Sequence, residues 1–586
     1  MPLLNLKLHR PAAPLATSLW PEAHAHSLWP AGRIGWLLAL VFVLHALFGA
    51  SLGLSVDEAH YALYAAHPAL SYFDHPPLVG WLQWPLVALH APTAVLRLLP
   101  GLLWLGTLLL VYQLALRIAV AASTYAQSRM PDGSVEVAGQ AALAERAGFW
   151  ALAVLLLAPL MHILGIGLLP DTLLMFWSAA LMLQTLRLMQ PAPTTQPATA
   201  VLQGPRAPLN DVAQWLLLGA LLGLAGLSKY TAIFTAAAVA LCLLWSHGWK
   251  LLRQPGLWWA TLLALAIVSP VAIWNAQNQW ISFAYQAKHG AGSTWQGLHL
   301  ARFLVVQLLA FGPLLCWGWA GARQVAPAQR LLLGFFAIPF AVLALLAGGG
   351  SSLPHWTAPA WVALAPFAGI GLARSWARAA PSGERSGSAN GVRVGTSAGP
   401  WSSTWRGPKL WLLALVALQA LACVGLPALM VSAGMPFLQG KAASASSSDS
   451  PNPFADLHGW DAAGARARAL AGQHGLDAVA VQNWTLASRI GWYARPLKVQ
   501  VLEDRFDQFD LWAGKLAVGG SALLLDWSQL PYETPLGAHG FAHCTWLEQQ
   551  EVWRLGYAVS RFDFYACSGW SGQPEPHLRA TPFSKP

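Results

Sequence analysis

Ile34-Gly-Trp-Leu-Leu-Ala-Leu-Val-Phe-Val-Leu-His-Ala-Leu-Phe-Gly-Ala-Ser-Leu-Gly-Leu54 is a run of 21 residues without Asp, Glu, Lys or Arg. A helix crossing the hydrocarbon core of a bilayer needs about 20 predominantly apolar residues, so this run is long enough to span. More than thirty residues precede it, among them Lys7, Arg10 and Arg33. That leader is long for a signal peptide, and Gly49-Ala50-Ser51 resembles a cleavage site only weakly, so an uncleaved signal-anchor helix is expected. The rest of the chain is of the same kind. Of its 586 residues 56% are hydrophobic and only 10% charged, where soluble domains carry about 25% charged residues. Too few charges remain to cover a water-facing surface of this size, and the 32 Trp residues suit a membrane–water interface.

Further apolar runs fall at 94–116, 147–164, 172–190, 212–228, 230–246, 257–274, 302–320, 330–348, 356–373 and 410–433, which with 34–54 predicts eleven spans. The stretch 212–246 is too long for one helix and is divided at Ser228-Lys229-Tyr230. With a cytoplasmic N-terminus, eighteen Lys and Arg residues fall on the cytoplasmic side. The opposite side takes Lys229, Lys288 and Arg302, with Arg97 just inside the second span. This is a strong positive-inside asymmetry, and it predicts a multi-pass membrane protein with its N-terminus inside and its C-terminus outside. The net charge of +10 is distributed by side of the membrane and forms no stripe suited to nucleic acid.

The expected organisation is a cytoplasmic segment 1–33 and a transmembrane domain 34–433 with a large first outer loop at 55–93. A linker at 434–453 and a small α/β domain at 454–586, about 130 residues, complete it. Stretches 379–400 and 440–453 are rich in Ser, Gly, Ala or Pro and read as linkers. In the last domain, 477–482, 497–502, 522–526 and 559–567 read as strands and 484–493 as a helix. Cys242, Cys316 and Cys423 lie in apolar runs and read as small buried hydrophobes. Cys544 and Cys567 lie in the polar domain and could pair in an oxidising compartment.

The first outer loop carries Asp57, Glu58, His60, His67, Asp74, His75 and His90 and no Lys or Arg before Arg97. Carboxylates at a membrane boundary are costly unless they pair, bind a cation or face water, so their default reading is functional. Alternatively, Asp57 caps a short helix over 58–66. On the same side stand Asp171, Lys229, the Trp274-Asn275 segment with His289 beyond it, and His355. Singly each has a bland account: Asp171 as an N-cap, Lys229 as a snorkelling cation, His355 as a helix-start residue. Together they predict an outward cavity holding carboxylates, one or two cations and several imidazoles. A carboxylate can deprotonate an acceptor hydroxyl, and a lysine, an imidazolium or a divalent metal can neutralise a phosphate leaving group. No P-loop or Gly-rich dinucleotide fingerprint is present, which argues against a nucleotide.

At these residues the chain resembles the bacterial branch of the protein O-mannosyltransferases and lipid A aminoarabinose transferases, over about residues 34–375. The likeness rests on Asp57-Glu58 with Tyr61, and on Tyr72-Phe73-Asp74-His75-Pro76-Pro77-Leu78 with Trp81-Leu82. Arg97-Leu98, Pro170-Asp171-Thr172, Lys229-Tyr230, Pro270…Trp274-Asn275 with Ser282-Phe283, and Pro354-His355-Trp356 follow in the family's order. The resemblance implies a GT-C fold and inverting transfer of a sugar from a polyprenyl-phosphate carrier to a periplasmic lipid, glycan or protein. In that reading Asp57 is general base or acceptor-orienting carboxylate, supported by Glu58, and Asp171 shapes a substrate pocket. His75, Lys229 and Arg97 contact the donor phosphate, and Asp74, with His355 or His289, is a candidate ligand for a divalent metal. Aminoarabinose transferases typically carry Lys where His75 stands, so phosphate binding there would depend on imidazole protonation or on metal. Asp504, Asp507 and Asp510 of the last domain fit no EF-hand spacing and read as a solvated acidic turn. That domain either recognises acceptor or only covers the cavity. The rival reading is a flippase or transporter of lipid-linked sugars, against which the chain shows no paired, interrupted internal repeats.

Overall fold

A computed structural model describes residues 32–127, 137–189, 211–378 apart from 293 and 351, 407–436 and 452–575. The expected N-terminal segment, the 379–400 linker and most of the 440–453 linker lie outside the described residues. Among the described residues seven helices are long and apolar enough to cross a membrane, or nine if each of two bent pairs is one span. The count of eleven is therefore not confirmed. The expected 172–190 span is the helix Pro170–Leu188, and 212–228 is Val212–Ser228, apolar but only 17 residues long. Runs 147–164 and 302–320 are not straight helices. Gln140–Leu156 and Pro159–Ile166 meet at 78°, and Gly297–Phe311 and Pro313–Ala322 at 103°. Each break falls beside a proline, which lacks the N–H that would continue the helix. At the second, Gly312 takes a φ of +84°, and a side chain there would run into Gln419.

The helices sort by how much they hide. Pro354–Trp376 is 94% buried within the protein, whereas Leu410–Ser432 is 11% and Pro255–Gln277 17% buried. An apolar helix left that bare requires lipid around it, and the chain is a multi-span membrane protein. The central helix is approached closely because small residues face it. A Cβ on Gly371 would press on the Trp317 carbonyl oxygen, so the chain 317–322 lies directly against it. Lys229 interrupts the 212–246 run, ending Val212–Ser228 in extended backbone before Ala232–His247 begins.

The C-terminal domain is a five-stranded sheet of β1 (Ala478–Val481), β2 (Lys498–Val501), β3 (Ala522–Trp527), β4 (Phe541–Arg554) and β5 (Tyr557–Trp570). Their order is β2-β1-β3-β5-β4, parallel across the first three and antiparallel from β3 onward. Cys544 and Cys567 face each other across β4 and β5 and form a disulfide. Helix Trp484–Tyr493 spans the predicted residues, whereas helix Trp460–His474 and β4 were not expected. The domain shares a core with the first outer loop. Leu54, Ala59, Ala62 and Leu63 cluster with Trp460, Leu486 and Ile490. The Tyr493 hydroxyl accepts from the Leu54 N–H at 2.8 Å, and the Leu457 carbonyl from the Gly53 N–H at 3.0 Å.

Candidate active site

Helix Val56–Ala66 opens the site. Its N-cap is Ser55, whose hydroxyl accepts from the Glu58 N–H while Glu58 Oε2 accepts from the Ser55 N–H at 3.1 Å. This capping box gives the cap to Ser55, so Asp57 is not engaged in it. Among the described residues the Asp57 carboxylate makes no hydrogen bond, and it lines a cavity of about 240 Å³. Burial raises its carboxyl pKa and the nearby Asp74 and Asp171 add to the rise, while His355 and His60 oppose it. A half-buried carboxylate with a raised pKa and no hydrogen-bond partner among the described residues is poised to take a proton.

Glu58 and Arg97 bind each other, away from the cavity lining. Arg97 Nε and a terminal nitrogen bind Glu58 Oε1 and Oε2, both at 2.7 Å, and the others bind the carbonyls of Gly49, Leu52 and Gly53. A guanidinium has five N–H donors, and all five are used. Neither residue lines the cavity. The pair pins the end of the first span to the outer loop, and a phosphate would find no donor left on Arg97.

Asp171, in the first turn of Pro170–Leu188, is 1% exposed and accepts from Lys229 Nζ with both oxygens at 2.7 Å. The N-cap position belongs to Leu169, so Asp171 serves the ion pair and not the cap. His355 Nε2 stands 3.7 Å from Asp171, and the Trp356 ring lies 5.3 Å from the ammonium. Asp74 and His75 reach the same cavity from the Tyr72–Pro77 turn. The Tyr64 hydroxyl donates to Asp74 Oδ1, and His60 Nε2 lies 3.6 Å from Oδ2. Burial would push the Asp74 carboxyl up, yet His60, by charge and hydrogen bond, and His75 hold it below the usual carboxylate range. Burial pushes the His75 imidazole down to about 4 against the pull of Asp74, which favours the neutral form, and among the described residues its Nδ1 has no hydrogen-bond partner.

The expected metal set is not gathered as a set. Asp74 sits with His60 and Tyr64, and His355 sits with Asp171. His289 lies on helix Ile281–Ala291, and its side chain is outside the described part. Among the described residues no three His, Cys, Asp or Glu side chains converge to hold an ion.

Sequence reasoning missed part of the cavity wall. His60 links Asp74 to the C-terminal domain through a 3.1 Å hydrogen bond with Ser488. Gln508 accepts from the Phe73 N–H at 2.7 Å. Of the three aspartates read as a solvated turn, only Asp504 fits, exposed and bound to Lys515 at 3.1 Å. Asp507 is 5% exposed, caps helix Gln508–Trp512 in a capping box with Asp510, and lines the cavity. The three-residue spacing of Asp507 and Asp510 was the signal that could have found it. A second, larger cavity of about 1280 Å³ adjoins the first at Tyr285 and Arg505. It is lined by Lys288, His299, Arg302 and Arg505, with no carboxylate among its described lining residues.

A many-helix membrane bundle with an acid- and cation-lined cavity beneath a small α/β domain is an ArnT-like fold. The chain superposes on ArnT from Cupriavidus metallidurans in the apo state with TM-score 0.52 and 16% identity, covering 93% of this chain and 100% of that one. It superposes on the same protein bound to undecaprenyl phosphate with TM-score 0.51 and 16% identity, over 91% and 98% of the two chains. Residues 137–274 match the dolichyl-phosphate-mannose-protein mannosyltransferase family. No curated protein sequence matches the chain.

Proposed function

We propose that this protein is a membrane glycosyltransferase that moves a sugar from a polyprenyl-phosphate carrier to an acceptor hydroxyl outside the cytoplasm, with inversion. The observation that carries the reading is Asp57, a carboxylate with no hydrogen-bond partner among the described residues, in one cavity with the Asp171–Lys229 pair. The match to a dolichyl-phosphate-mannose-dependent family and the likeness to ArnT bound to undecaprenyl phosphate support the class of donor. The donor face lies outside, at the inner membrane, in keeping with the Lys/Arg asymmetry and the Cys544–Cys567 disulfide.

In this mechanism Asp57 takes the proton of the acceptor hydroxyl as its oxygen bonds to the anomeric carbon. The bond from that carbon to the phosphate oxygen breaks with its electron pair going to oxygen, and polyprenyl phosphate leaves. Lys229 faces the departing charge, held in place by both oxygens of Asp171. His75, its imidazole pKa lowered by burial, offers an N–H to phosphate and gains a proton more readily once the anion is beside it. The basic lining of the larger cavity suits anionic groups of carrier or acceptor. Lipid A, another glycan and a protein all remain within the acceptor class.

The test supplies the purified protein with labelled polyprenyl-phosphate sugars and determines the anomeric configuration of the product. Inverted product supports the reading, and retained configuration defeats the single-displacement role of Asp57. If no donor turns over while carrier lipid crosses vesicle bilayers, the protein is a flippase. A divalent ion at Asp74 is proposed separately, with no step resting on it. Rates with chelator, then with added Mg²⁺, Mn²⁺ or Zn²⁺, test it: loss and recovery support an ion, and unchanged rates dismiss it.

A further inference from the structure

The C-terminal domain does more than lie over the cavity; it builds part of its wall. Arg505 and Asp507 of the loop before helix Gln508–Trp512, Gln508 at its start, and Trp484 of the helix Trp484–Tyr493 line the same space as Asp57 and Lys229. The placement is fixed from both sides. Gln508 holds the Phe73 N–H, one residue from Asp74. Arg505 donates to the Tyr285 hydroxyl at 3.1 Å, and the Tyr285 ring packs 4.6 Å from Phe73. Asp507 is the telling residue. Its Oδ1 accepts from the Phe509 N–H at 2.7 Å as part of the capping box, while among the described residues Oδ2 is buried with no hydrogen-bond partner. A buried carboxylate oxygen without a donor costs free energy that a ligand donor would recover. The Trp484 indole lines the same cavity and is suited to the apolar C–H face of a sugar.

The cavity's size indicates which part of a substrate sits there. At about 240 Å³ it is smaller than the roughly 300–1,000 Å³ of pockets for drug-sized ligands, and holds one sugar ring, not an oligosaccharide. Beyond Lys229 and His75, which line this cavity and face the phosphate, further cations without carboxylates line the adjoining space. From this division we infer that the C-terminal domain recognises the sugar being transferred, Asp507 accepting a hydrogen bond from one of its hydroxyls while Trp484 packs on its face. The inference rests on the transferase reading above and adds to it a sugar-specificity role for a domain outside the membrane.

Asp507→Asn and Asp507→Ser test this without removing the cap, since Asn and Ser are both good N-cap residues. Full-length protein is assayed for kcat/KM with polyprenyl-phosphate sugars and for binding of sugar-free polyprenyl phosphate. Both variants should lose about ten- to a hundredfold in kcat/KM for the donor, as expected for a hydrogen bond to a charged group. Binding of sugar-free carrier, the acceptor KM and the thermal midpoint should stay as in wild type. Deoxy-sugar donors complete the test. One of them should be poor for wild type, yet no worse than its parent sugar for Asp507→Asn. Wild-type kcat/KM in both variants overturns the inference. So does an equal loss of sugar-free carrier binding, or a rise confined to the acceptor KM. If wild type turns over no donor at all, the transferase reading itself fails, a result distinct from any of these.

Discussion

Two buried cations near the outer face, Arg97 and Lys229, have different fates. Arg97 spends all its donors on Glu58 and on three carbonyls at the end of the first span. Lys229 is held by Asp171 yet still lines the cavity. Arg97→Ala should therefore lower stability by about 3–5 kcal/mol, the cost of leaving a buried partner charge uncompensated. The folded fraction should still bind polyprenyl phosphate as wild type does. Thermal unfolding and carrier binding, measured side by side, check this, since a phosphate-binding Arg97 would give the reverse. Asp57 carries a pH prediction. A base works ionised, and burial raises the Asp57 pKa, so the rate should be full above that pKa and fall as pH drops through it. The acid limb should lie above the roughly 4 of an exposed aspartate. A limb at or below that value would contradict a buried Asp57 as base. The candidate residues were legible because ionisable groups at a membrane boundary stand out against an apolar background. Which of them pair was not legible: nothing in the spacing of Arg97 tells that five acceptors surround it.

At the scale of elements, long apolar windows announced the helices, but not their breaks at Pro159 and Pro313. A run of apolar residues has the same composition straight or bent, and the bend is set by what it packs against. In the C-terminal domain, β1, β2, β3 and β5 follow β-rich runs. Strand β4 pairs only with β5 at the sheet edge and carries Glu548, Gln549, Gln550 and Glu551, so its pattern does not read as a strand. Helix Trp460–His474 buries Ala463, Gly464, Ala467 and Ala471 with only Trp460 and Leu470 as large apolar residues, a weak apolar signal. Two predictions belong here. Gly371→Val should destabilise by about 1–3 kcal/mol through overpacking against the Trp317 carbonyl, read as a lowered thermal midpoint. Cys544→Ala with Cys567→Ala should cost about 3 kcal/mol, from a cross-link spanning a sequence separation of 23 residues, read by unfolding of the sheet. Transfer by the protein that remains folded should persist, because neither cysteine reaches the cavity.

Across the whole molecule, the membrane bundle and the C-terminal domain are joined through one core and one cavity wall. Leu54 and Tyr493, 439 residues apart, share a hydrogen bond, and His60 meets Ser488. Such contacts leave no trace in local sequence pattern, so the domain looked separable. A chain ending at residue 436 should expose Leu54, Ala59 and Leu63 and lose both stability and transfer; a stable, active truncation would refute the shared core. The most direct test of the account is label transfer from polyprenyl-phosphate sugar to acceptor by wild type and Asp57→Asn at matched amounts of folded protein. Loss of a general base predicts a fall of about 10²–10⁴-fold in the variant with carrier binding unchanged. Transfer by Asp57→Asn at the wild-type rate would contradict the account.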